Sequence, residues 1–149
     1  MKHTFLFLLL FVSAGSAFAQ FPLGCSEKKI KSYFDQNISY ASAVDFKTAN
    51  GTSAVCFTKV KVVGDYTFFF NASGICTSYI VTYDKNELKD FVTRLDYNYC
   101  RIQSQKWEAE DNTFQVSVNT PKPGENYFSV TYQPVTPGSN SSDGVLASN

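Results

Sequence analysis

The side chains best suited to chemistry in this 149-residue chain are four cysteines, Cys25, Cys56, Cys76 and Cys100. They are widely spaced along the chain and form no C-x-x-C pair, which speaks against a thiolate zinc site. In an exported chain four such thiols are expected to pair as two disulfides. The single histidine, His3, and the single methionine, Met1, both lie ahead of Gln20. If the segment before Gln20 is removed, no imidazole remains. Ser-His-Asp and Cys-His catalysis, a histidine base and a histidine metal ligand are then all excluded. No P-loop, G-x-S-x-G or G-x-G-x-x-G occurs, and nothing calls for a cofactor.

Two charge groups remain. Glu108, Glu110 and Asp111 form the densest acidic stretch, but they lack the D-x-D-x-D-G spacing of a calcium loop, so they read as a solvated strand end and turn. Lys28, Lys29, Lys31, Lys59 and Lys61 could form a basic patch, yet strand alternation already explains Lys59 and Lys61 as solvent positions. Carboxylates are numerous enough to leave a carboxylate-only hydrolase open. None of them, however, sits in a sequence context that would raise its pKa.

The segment from Met1 to Ala19 has the form of an export signal. Met1-Lys2-His3 is a positive start and Thr4 to Val12 an apolar run. Ala17-Phe18-Ala19 supplies small residues for cleavage before Gln20. The apolar run is too short to span a membrane as a helix, and no later segment is long enough. Pro22-Leu23-Gly24-Cys25 faintly resembles a lipoprotein cleavage box. Pro22 stands where an aliphatic residue is wanted, though, and the Ala17-Phe18-Ala19 site intervenes, so a lipid anchor at Cys25 is disfavoured. The whole chain balances 13 basic against 13 acidic side chains. Cleavage removes Lys2 and no acid, so the mature chain carries a single net negative charge. That balance argues against nucleic acid as a partner. The signal places the protein in the periplasm or outside the cell.

The elements that must position these groups follow from periodicity. Ser26 caps a helix from Glu27 to about Gln36, with Ile30, Tyr33 and Phe34 on one face. Strands are expected around Val44–Phe46, Ala54–Val62, Tyr66–Phe70 and Ile75–Thr82, with hairpin turns at Asn50-Gly51 and Gly64-Asp65 and a longer turn at Asn71–Gly74. Asp84 and Glu87 open a second helix carrying Leu88, Phe91, Val92, Leu95 and Tyr99 on one face. Strands at Lys106–Glu108, Thr113–Asn119 and Tyr127–Gln133 follow, and 134–149 reads as a disordered tail. The fold class is α+β, with two helices on an antiparallel sheet of about seven strands, disulfide-bonded, in a single domain 20–133.

The two halves resemble each other. When the chain is slid along itself without gaps until Gly24 falls on Lys85, the segment 24–71 lies on 85–132. That register gives 7 identities in 48 pairs, and helices, turns and strands align together. This reads as a tandem α-β-β-β unit with the fourth strand as a bridge. Such a unit is similar in architecture to exported inhibitor domains of the β-lactamase-inhibitor-protein type.

Aromatics are the overabundant class: 10 Phe, 9 Tyr and 1 Trp lie beyond Ala19. In Tyr66-Thr67-Phe68-Phe69-Phe70, alternation sends Tyr66, Phe68 and Phe70 to one face, and the four-residue turn puts Tyr79 opposite Tyr66. These four are the candidate partner-binding residues if the face lies open; the favoured expectation is that both faces of the middle strands are covered and the aromatics are core. The sequence points to an exported, non-catalytic binding module, protein-binding or inhibitor-like, with an envelope structural or assembly factor as the alternative. The expected disulfides are Cys25–Cys56 and Cys76–Cys100, from the distance each strand and helix travels along its axis.

The export reading has a direct check. The intact mass of the protein recovered outside the cytoplasm should correspond to a chain beginning at Gln20. A lipid-modified Cys25 terminus would contradict both the cleavage site and the cysteine count.

Overall fold

The computed structural model describes residues 22–60 and 64–135. The export segment 1–19 with its cleavage point at Gln20, Lys61, and the tail beyond residue 135 lie outside them. Ser26 caps α1 (Glu27–Asn37), its Oγ accepting from the Lys29 N–H at 3.3 Å. Strands β1 (Ser42–Lys47), β2 (Ser53–Thr58), β3 (Tyr66–Phe70) and β4 (Cys76–Asp84) follow. Asp84 caps a 3-10 turn, Lys85–Glu87, that leads into α2 (Leu88–Asn98). Then come β5 (Cys100–Gln103), β6 (Lys106–Glu108), β7 (Phe114–Asn119) and β8 (Tyr127–Pro134).

All eight strands join one antiparallel sheet in the order β1-β2-β3-β4-β8-β7-β6-β5. The count is eight rather than seven because Cys100–Gln103, which shows no alternation, forms an edge strand on β6. The second strand stops at Thr58, and Val62, its expected end, lies outside the described residues. Lys59 takes a left-handed φ of 52°, its N–H donates to Asp65 Oδ1, and pairing ends there. The segment expected to be a disordered tail begins too early, because β8 runs on through Pro134, which still pairs with Phe114.

Both helices lie on one face of the sheet, and each covers its own core. Under α1, Ile30 and Phe34 meet Val55, Phe57, Phe68 and Val81. The Phe34 ring stacks on Phe57 at 4.2 Å and stands edge-on to Phe68 at 5.4 Å. Under α2, Phe91 and Leu95 meet Trp107, Phe114, Val116 and Phe128. The two clusters share only partly buried residues at their margins, among them Leu23, Tyr83 and Tyr132.

The internal resemblance has a structural counterpart. The same offset carries α1 onto α2 and β2 onto β7, end for end. Ile30 and Phe91, Phe34 and Leu95, and Val55 and Val116 are buried at matching places. The match fails at the flanking strands. Phe46 is 40 % exposed on the face without helices, whereas Trp107 is buried under α2. Tyr66 is half-buried against the α1 core while Tyr127 is exposed.

The four cysteines carry free thiols, and neither expected bridge is formed. Between Cys76 on β4 and Cys100 on β5 lie β8, β7 and β6, a lateral separation of roughly 19 Å. The axial travel of β4 and α2 does cancel, but α2 also carries the chain sideways to the far edge. Cys25 lies against the helix-side core, while Cys56 sits on the other face, level with Val44 and Thr67.

One polar contact pins α2 to its core. Asp96 Oδ1 accepts from the Trp107 indole N–H at 2.8 Å, and both its oxygens accept from Arg101. The Arg101 guanidinium lies 4.9 Å from the Trp107 ring centre. The indole bond, then the guanidinium bonds, hold the Asp96 carboxyl below its ordinary value. A depressed carboxylate pKa contributes stability that is complete above the unfolded-state value of about 3.9 and is lost as pH falls through the lower folded-state value. Acid titration followed by the emission of Trp107, the only tryptophan in the chain, should therefore show a steeper loss of stability in the native protein than in Asp96→Asn.

Candidate functional site

Tyrosines gather where the two helix-covered cores meet. β4 and β8 pair at the centre of the sheet, and their register sets Tyr79 against Tyr132 and Tyr83 against Phe128. The Tyr79 and Tyr132 rings stack at 4.5 Å with 3° between their planes. Tyr83 stacks on Phe128 at 5.4 Å. Above this seam, bounded by α1 on one side, lies a cleft of about 530 Å³.

Its wall is the α1 face carrying Tyr33, Phe34 and Asn37, extended by Ile38 and Ser39 in the turn that follows. Its floor is Tyr66, Phe68, Tyr79, Val81, Tyr83 and Tyr132, with Pro22 and Val60 completing the lining. No Asp, Glu, Lys or Arg is among these lining residues. The polar atoms are phenols, the Asn37 amide and the Ser39 hydroxyl. Burial pushes the Tyr66, Tyr79, Tyr83 and Tyr132 phenols above their ordinary value, so all four stay neutral through the physiological range. The cleft therefore offers ring faces and neutral O–H groups.

Of the four aromatic candidates, Tyr66, Phe68 and Tyr79 line this cleft. Phe70 instead packs in the α1 core, 2 % exposed. They do not form an open strand face, because α1 lies over it. Tyr79 also sits opposite Phe68, with Val81 opposite Tyr66, a shift of two residues: the turn closes Asn71 on Ile75, and a bulge at Phe69/Phe70 adds one more residue on β4. Sequence reasoning missed Tyr83 and Tyr132. Their signal was present, since both interrupt otherwise apolar or alternating strands with a side chain that has one polar end.

Three of the charged side chains singled out in the sequence, Lys31, Glu108 and Asp111, have local partners. Lys31 bonds Glu27 and Asp45, each at 2.7 Å, with Asp45 the main reason its pKa is raised. Glu108 accepts from Gln115, and Asp111 accepts from the Thr113 N–H and hydroxyl within its turn. Among the described residues, no three or more His, Cys, Asp or Glu side chains gather as a metal site. No helix of the described residues is long and apolar enough to cross a membrane.

No family model, curated protein or solved structure matches the chain. The architectural likeness to inhibitor domains thus carries no functional argument, and the cleft has to be read from its own chemistry.

Burial makes a sharp contrast within one strand. Phe68, fully buried in the core under α1, should cost about 3–5 kcal/mol on replacement by alanine. Phe69 points to the face without helices and is half-buried, so Phe69→Ala should cost clearly less. Urea denaturation of the two variants side by side checks the assignment of faces.

Proposed function

We propose that this chain is an exported, non-catalytic binding module that takes a neutral, largely apolar small molecule into the cleft between α1 and the β4–β8 seam. The observation that carries this reading is a cleft of about 530 Å³ lined by aromatic rings and phenols with no charged side chain. That volume is in the range of small-ligand pockets, and a few convergent polar groups in an apolar lining are what such pockets use for orientation. A charged ligand would lose its hydration there without gaining a counter-charge. A neutral ring system would make dispersion contacts with the accessible rings of Tyr66, Tyr83 and Tyr132 and could accept hydrogen bonds from the neutral phenols.

A second reading, docking of a protein partner, is favoured by one feature of the opposite face. Val44 and Phe46 are 51 % and 40 % exposed there, in rows with Ala54, Cys56 and Phe69. The β5–β8 half of the same face is instead occupied by Gln115, Ser117, Ser129, Thr131 and Gln133. This apolar half-face suits the inhibitor-like or envelope-assembly alternatives.

Titration with a neutral solvatochromic dye separates the readings. The cleft reading expects saturable one-to-one binding. Ser39→Trp, at the mouth, should abolish it, and Tyr132→Phe, which keeps the ring and removes the hydroxyl, should weaken binding of an acceptor-bearing dye by about five- to tenfold. Binding lost on Phe46→Asp and untouched by Ser39→Trp would transfer the activity to the open face.

A further inference from the structure

The Pro22-Leu23-Gly24-Cys25 stretch does more than lend Pro22 to the cleft lining. The Cys25 N–H donates to the Pro22 carbonyl at 3.0 Å, which closes a turn around Leu23 and Gly24. Gly24 has a φ of +76°, the conformation that the third residue of a type II turn requires. The chain then lies antiparallel to the start of β4. The Gly24 N–H donates to the Cys76 carbonyl at 2.9 Å, the Cys76 N–H donates to the Cys25 carbonyl at 2.8 Å, and Ser26 pairs with Ile75. Gly24 and Cys25 together oppose the single residue Cys76, which is the pattern of a glycine bulge. Such a bulge sets Cys25 across from Cys76, with both side chains toward the same face.

Directly opposed residues of an antiparallel pair have Cα atoms about 4.5–5.5 Å apart, inside the 4.4–6.8 Å span of disulfides. The side chains agree with the backbone. Cys76 is 2 % exposed in the α1 core, and Cys25 packs against that cluster from its rim. The other two cysteines have no such neighbour: Cys56 faces the opposite side of the sheet, and Cys100 is exposed on the far edge strand.

We propose that Cys25 and Cys76 are the protein's disulfide pair, closed by exchange with a donor disulfide after export, and that Cys56 and Cys100 remain single thiols. Cys25, half-buried at the rim, reaches the donor first. Its thiolate attacks one donor sulfur, the donor S–S bond breaks, and one donor thiolate leaves. Cys76 then gives up its proton, its sulfur attacks Cys25 Sγ, and the second donor thiolate leaves. Two cysteine thiols lose two protons and two electrons, and the donor disulfide is reduced to two thiols. Burial pushes the Cys76 thiol up to about 12, in keeping with its acting second, inside the mixed disulfide. The bond would tie the chain entering α1 to β4, and so fix the helix wall of the cleft to its floor.

The experiment is peptide mapping of the full chain after equilibration with oxidised glutathione, alkylation without reductant and digestion. The expected result is one linked pair, Cys25–Cys76, with Cys56 and Cys100 alkylated. Reduction should then lower the melting temperature by about 10 °C. That difference should vanish in Cys25→Ser and persist in Cys100→Ser. Alkylation of all four cysteines, a link from Cys25 to Cys56 or Cys100, or a lipid on Cys25 would overturn the assignment. None of these outcomes bears on whether the cleft binds the dye.

Discussion

Two helices of eleven residues cannot cover a sheet of eight strands, and the shape of the molecule follows from that shortfall. Seven inter-strand spacings make the sheet roughly 34 Å wide. A helix with its side chains is about 10–12 Å across, so two together cover about two thirds of it. The chain divides this cover evenly. α1 seals β2, β3 and much of β4, α2 seals β6, β7 and much of β8, and the two cores meet along the β4–β8 pairing, where the partly buried Tyr83 and Tyr132 touch both. At the middle of the β4–β8 seam Val81 pairs with Val130, both buried, and the half-buried positions that flank this pair are taken by Tyr83 and Tyr132. Tyrosine suits such half-buried positions, because its ring packs and its hydroxyl can reach a polar partner. The cleft is thus a consequence of the coverage problem, and its neutrality follows from the residue type that solves it.

Much of the architecture was legible in local pattern. Ile30 and Phe34, then Phe91 and Leu95, recur at helical spacing, and the caps Ser26 and Asp84 fixed where each helical stretch starts. Val116 and Val118 alternate with polar residues as a half-covered strand should. What escaped the pattern was lateral position. Periodicity reports which face a residue takes along its own element and carries no information on how many strands separate two elements. Cys76 and Cys100 were matched by axial distance alone, and β8, β7 and β6 intervene. The edge strand β5 went unread for a related reason: all four of its residues are exposed, so it has no alternation to show.

The candidate site was half legible. Tyr66, Phe68 and Tyr79 were singled out by aromatic density, and the cleft does take them, but as floor beneath α1 rather than as an open face. Tyr132 is contributed by β8, far along the chain from Tyr79, through a strand pairing that no short-range signal encodes. The Cys25–Cys76 juxtaposition is likewise long-range, although its local half was written in the sequence: Gly24, one residue ahead of Cys25, is the position where the turn demands a positive φ.

The central claim is that a ligand enters at the seam between the two cores. Aromatic ¹H–¹³C spectra recorded while a small neutral aromatic compound is added test it most directly. The account predicts saturable shifts confined to Tyr66, Tyr79, Tyr83 and Tyr132, with the Trp107 and Phe114 signals of the α2 core unmoved. Shifts centred on Phe46 and Phe69, or no saturable shift at the seam tyrosines, would contradict it.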